Sequence, residues 1–119
     1  MNYISTHNSI TRLTAFPLVM EVTDLGDLTD GWTITFTMRK DLSSTGNPLL
    51  QYTNSDIQSM HVNTNKVTIN LSVLDTDKIP EDCKVVYIQL NFTKLAKTVA
   101  TEVYALQVLP NIIKTEIPR

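Results

Sequence analysis

The eight residues Trp32-Thr33-Ile34-Thr35-Phe36-Thr37-Met38-Arg39 alternate apolar and polar without a break. A period of two puts every second side chain on one face, so this stretch predicts a strand with one buried side. Asp24-Leu25-Gly26-Asp27 and Asp30-Gly31, rich in turn formers, precede it. Lys66-Val67-Thr68-Ile69-Asn70-Leu71 repeats the pattern, with Val67, Ile69 and Leu71 on one face. The longest alternation spans 84–93, with Val86, Ile88, Leu90 and Phe92 facing one way.

Weaker signals fill the gaps. Residues 10–15 and 17–22 read as one strand broken by Pro17, or as two short strands. Proline removes a ladder donor, which predicts a sheet edge there. Residues 49–53 and 57–62 are further strand candidates, and 42–48 is a loop dense in turn formers. Asp75, Thr76 and Asp77 interrupt the β pattern and predict one helical turn or a tight loop. Lys94-Leu95-Ala96-Lys97 reads as a hairpin loop before a last strand over 98–109. That strand carries apolar groups on both faces: Val99, Val103 and Ala105 on one, Tyr104, Leu106 and Val108 on the other. Such a strand is central and covered, or lies at an interface. About seven or eight short strands with turns between them predict an all-β, antiparallel sandwich.

A chain of 119 residues makes one domain with its own core. The expected division is an arm over 1–9, the β domain over 10–110 and a tail over 111–119. Charged residues are only 18% and the formal net charge is −2, so no basic stripe marks a nucleic-acid partner. The first residues have no charged segment followed by an apolar one, as a secretory signal would. No apolar run approaches the roughly 18 residues a bilayer span needs. A soluble product without a membrane partner is expected, and the sequons at Asn70 and Asn91 read as chance matches. The single cysteine, Cys83, excludes an intrachain disulfide and reads as a packed or inert thiol.

Chemistry is sparse. His7 and His61, the two histidines, have no ligand partner at i+2 or i+4. Asp24, Asp27 and Asp30 are spaced by three, unlike a calcium loop with alternating ligands and a terminal Glu, and read as a capped β-turn. Asp75, Asp77, Glu81 and Asp82 also fall in a turn, where a weak cation site stays open. No Gly-x-Ser-x-Gly elbow occurs, and the three glycines are too scattered for a phosphate loop. No enzyme activity, cofactor or metal is expected. Trp32 lies on the apolar face of its strand and is expected in the core.

Three segments carry a family resemblance. Asp27-Leu28-Thr29-Asp30-Gly31-Trp32 leads into the first clean strand. Lys66-Val67-Thr68-Ile69-Asn70-Leu71 leads into Asp75-Thr76-Asp77-Lys78-Ile79-Pro80. Val86-Tyr87-Ile88-Gln89-Leu90 is followed by Tyr104-Ala105-Leu106-Gln107-Val108. In order and spacing, over about residues 10–110, these resemble the immunoglobulin-like sandwich domains of tailed-bacteriophage virion proteins. Such domains occur in baseplate upper proteins and in accessory proteins of the tail or head. That family often has an Arg-Gly-Asp-Thr-like turn near its start, where Arg12-Leu13-Thr14-Ala15 keeps the arginine and replaces the glycine. A glycine usually precedes its Tyr-containing strand, where Asp82-Cys83 stands here.

The resemblance implies a non-enzymatic virion protein, assembled in the bacterial host cytoplasm. It would be a multi-copy or homo-oligomeric adaptor in a tail, baseplate or fibre, touching other virion proteins. A capsid decoration or head-fibre protein is the alternative within that class. A carbohydrate- or ligand-binding sandwich module, with Trp32 or the tyrosines as platform, is the alternative outside it. The expected partner contacts are Tyr3 and Ile4 in the arm, Val103 and Ala105 in the last strand, and Ile112, Ile113 and Ile117 in the tail.

Overall fold

The computed structural model describes residues 3–5, 9–42, 46–101 and 103–110, with side chains except at 3–5 and 16. In chain order the elements are β1 (Tyr3–Ser5), β2 (Ser9–Thr11), β3 (Phe16–Val22), β4 (Thr33–Arg39), β5 (Leu50–Thr53), β6 (Met60–Val62), β7 (Lys66–Leu71), α1 (Val73–Asp77), β8 (Val85–Lys94), β9 (Lys97–Ala100) and β10 (Tyr104–Leu109). The fold is all-β with one short helix. One sheet has the order β1-β3-β7-β6. The other runs β2-β10-β8-β4-β5, with β9 also paired to β8.

Alternation in the sequence becomes burial. Ile34, Phe36 and Met38 of β4 point inward, and Thr35, Thr37 and Arg39 point outward. Opposite them on β8, Phe92, Leu90 and Ile88 meet the same three residues in register. Leu18, Met20 and Val22 of β3 and Val67, Ile69 and Leu71 of β7 supply the other sheet's share of a single core. Each large side chain fully withdrawn from water contributes about 1.5–3 kcal/mol, so these four strands carry most of the fold.

Pro17 sits inside β3, opposite Asn70 of β7. On its other flank, among the described residues, β1 pairs with Met20, Glu21 and Val22. Not every strand is antiparallel. β2 runs parallel to β10, with Ile10 beside Val108. The chain leaves β1 in one sheet and joins the other as β2, and it arrives beside the last strand in the same direction.

The segment 98–109, expected as one strand, is two. Ala100 pairs with Asn91 of β8, while Tyr104 pairs with Ile88. Three residues, 101–103, therefore face two on β8, Gln89 and Leu90. This is a β-bulge, with one extra residue between β9 and β10. Thr101 holds it: its N–H donates to Leu90 O at 2.9 Å, and Leu90 N–H donates to its Oγ1 at 3.0 Å. Gln89 Nε2 donates to Thr101 O at 2.8 Å. The bulge reverses the phase. Val99 and Thr101 face inward before it, and Tyr104, Leu106 and Val108 after it. The two apolar faces of the sequence are thus one inward set that changes parity.

Helix α1 follows from Ser72-x-x-Asp75. Asp75 N–H donates to Ser72 Oγ and Ser72 N–H donates to Asp75 Oδ2, a reciprocal capping box. Thr76 is buried and its hydroxyl donates to Thr14 O, while Thr14 N–H donates back to Thr76 Oγ1. Arg12 Nε donates to Ile79 O at 2.8 Å. These bonds tie the β2–β3 turn to the end of the domain that α1 occupies.

Candidate functional site

The outer face of the larger sheet carries a shallow depression of about 160 Å³. Its walls include Arg39, Asp41 and Leu42 at the end of β4, Tyr87 of β8 and Val103 of the bulge. Leu42 is 69% exposed and Val103 48%. Val103 reaches this face only because the bulge displaces it from the inward series. Arg39 Nη1 donates to Gly46 O at 3.1 Å, which holds the guanidinium against the loop following β4. Most of its lining is apolar, and Arg39 and Asp41 bring both charge signs to it.

A second feature lies at the opposite end of β8. Trp32 is buried, at 8% exposure, and stands edge-on to Phe92 with ring centroids 6.1 Å apart. Lys94 Nζ lies 5.3 Å from the centre of the indole ring and 3.4 Å from Asp30 Oδ2. The indole N–H is buried without a hydrogen-bond partner. Trp32 separates two open hollows. One is lined by Leu28, Asn54, Ile57 and His61 among others, and one by Lys94, Leu95, Ala96 and Lys97.

Leu95 and Ala96 form the two-residue loop between Lys94 and Lys97, which pair across the hairpin. Leu95 is 97% exposed and has φ of 56°. That left-handed conformation brings its Cβ against the next carbonyl, a cost glycine avoids. The side chain projects into solvent between two lysines.

The acidic clusters serve local structure. Asp27 Oδ1 accepts from both the hydroxyl and the N–H of Thr29, and those bonds hold its carboxyl below the usual range. Asp75 is absorbed by the capping box and by the Tyr52 hydroxyl, and Asp77 lies 3.6 Å from Arg12. Among the described residues no three His, Cys, Asp or Glu side chains converge as a metal would need. Cys83 is half-buried, with Sγ 3.0 Å from Val85 O. His61 is exposed, and His7 lies outside the described residues. Among the described residues no helix is long and apolar enough to cross a membrane.

The expected contact residues scatter. Tyr3 and Ile4, placed in an arm by the sequence, belong to β1 and pair with Val22 and Glu21. Val103 and Ala105 are exposed on the outer sheet face. Ile112, Ile113 and Ile117 lie outside the described residues. Leu95 and Leu42 were not singled out from sequence. A signal for Leu95 was present: a two-residue hairpin loop without Gly, Asn or Asp forces an ordinary residue into left-handed backbone. No protein-family model matches this sequence, and no curated protein matches it either.

Proposed function

We propose that this chain is a non-enzymatic structural protein of a tailed-bacteriophage virion, an immunoglobulin-like sandwich adaptor that works by protein–protein contact. The observation that carries the reading is strand order. An immunoglobulin sandwich places strands A, B, E and D in one sheet and G, F, C and C′ in the other. Here β1-β3-β7-β6 and β10-β8-β4-β5 follow those two orders when the strands are lettered along the chain. The first strand is divided between the sheets as β1 and β2.

Leu13 adds support. It has φ of 60°. That positive φ favours glycine, the residue the resembled family's turn carries at this position, which is compatible with the reading. Exposed large apolar side chains, Val103 on a sheet face, Leu42, Ile57 and Leu95 in loops and turns and Val73 and Leu74 on α1 among them, give the surface several places for protein contact.

The indole ring offers little to a sugar. Trp32 is 8% exposed, with Lys94 over the ring, so the indole presents no open platform to solvent. A carbohydrate-binding module fits this arrangement less well than an assembly protein does. The test is location: mass spectrometry and antibody labelling of purified phage particles. Stoichiometric presence on tail, baseplate or fibre supports the proposal. Presence on the head transfers the role to capsid decoration, and absence from particles overturns the virion reading.

A further inference from the structure

Two costs coincide at Leu95. Its backbone is held at φ of 56°, and its side chain is 97% exposed. A single exposed leucine is ordinary, and so is an occasional left-handed residue. Together they mean that the chain keeps a strained apolar knob at a position where glycine relieves the strain and removes the exposure. No contact within the fold requires the side chain there. Strain retained at an exposed tip points outward, to something the tip meets.

The same chain carries a matching recess. The depression beside Tyr87 is lined mostly by apolar surface, with Leu42 and Val103 in its walls, and has a volume of about 160 Å³. Asp41 lines it beside Arg39, whose guanidinium is held to Gly46 O, and Lys97 stands beside the knob. Tyr87 precedes Leu95 by eight residues along one extended strand, which separates knob and recess by about 25 Å. A chain therefore cannot fill its own recess.

We infer that Leu95 of one copy seats in the recess of a second copy of this chain, with Lys97 toward the second copy's Asp41. The contact joins two unlike surfaces, so every copy offers one of each. The apolar insertion supplies the affinity, and the rim charges set the orientation. This inference rests on the reading of the chain as an assembly protein and names its partner.

Sedimentation velocity of the full chain, from micromolar to near-millimolar concentration, tests it. The wild type self-associates. Leu95→Gly, which eases the backbone, and Val103→Lys, which blocks the recess from an exposed position, each weaken association about thirtyfold or more. Circular dichroism confirms that each variant is folded, and Leu42→Lys replaces Val103→Lys if the latter is not. The deciding sample is an equimolar mixture. Leu95→Gly retains a recess and Val103→Lys retains a knob, so the mixture forms one-to-one complexes that neither variant forms alone. A wild type monomeric throughout the range, a folded variant that associates normally, or a mixture that stays monomeric overturns the contact. A monomeric wild type found in purified particles overturns the contact but leaves the virion reading standing. A chain that self-associates as described but is absent from every particle supports the contact and overturns the virion reading.

Discussion

The Tyr52 hydroxyl donates a 2.5 Å hydrogen bond to Asp75 Oδ1, and the bond joins the two sheets at their edge. Tyr52 belongs to β5, the outermost strand of the larger sheet. Asp75 belongs to α1, which follows β7 of the smaller one. The other carboxylate oxygen of Asp75 caps its own helix through Ser72 N–H. One side chain thus fixes a helix start and clasps the sheets together.

Tyr52→Phe keeps the ring packed and removes only the clasp. The expected loss is about 1–2 kcal/mol, the range for a hydrogen bond to a charged group that is partly open to solvent. Asp75→Ala removes the clasp and the cap together and costs more, about 2–3 kcal/mol. Urea denaturation of the two variants and their double mutant checks this. A double mutant no worse than Asp75→Ala assigns the tyrosine effect to this one bond.

The same pair sets an alkaline limit. Burial first, and then Asp75, push the Tyr52 phenol from the ordinary 10.0 up to about 12. The folded state therefore holds the phenol proton more tightly than the unfolded chain does. Stability linked to that proton is complete below pH 10 and is lost as pH rises toward 12. Thermal melts across that window should fall for the wild type and fall less steeply for Tyr52→Phe. The difference in phenolate absorbance between wild type and Tyr52→Phe should appear only as pH approaches about 12.

Left-handed leucines offer two stabilising substitutions. Leu95→Gly should raise stability by up to about 1 kcal/mol, because glycine adopts positive φ without the Cβ clash. Leu95→Ala keeps that clash and should gain little, and Leu95→Val should be worse than either. Leu13→Gly should gain less than Leu95→Gly, since Leu13 is half-buried and gives up some packing. Chemical denaturation of the four variants gives the order.

Thr101 anchors the bulge through a hydroxyl that accepts from Leu90 N–H in the interior. Thr101→Val preserves shape and strands that donor. A buried N–H left without a partner costs about 1–3 kcal/mol. Hydrogen exchange at Leu90 should accelerate in the variant beyond the change in global stability, while exchange across the β4–β8 pairs should follow global stability alone.

Strict alternation at Trp32–Arg39, 66–71 and 84–93 made three strands and their buried faces readable. Asp75, Thr76 and Asp77 marked the helical turn or tight loop for the same local reason. What stayed hidden depended on distant partners. Ile10 pairs in parallel with a strand almost a hundred residues away, and short-range pattern does not carry that information. Val103 and Ala105 appeared as half of a two-faced apolar strand, because periodicity alone does not register an inserted residue. The Tyr52–Asp75 clasp joins a strand to a helix beyond the next two strands. The exposure of Leu95 depended on turn chemistry more than on hydropathy.

The bulge at 101–103 also limits how this chain can change length. Between Ala100 and Tyr104 the backbone works as a parity switch. Removing one residue there would leave two residues facing two, a regular ladder with Tyr104 still opposite Ile88 and Leu106 and Val108 still turned inward. Removing two would leave one residue facing two, and an unbroken ladder would then turn Ala105 and Gln107 toward the core. This segment should therefore accept loss of the one extra residue and reject loss of two, a rule that a library of short deletions could read directly from which members fold.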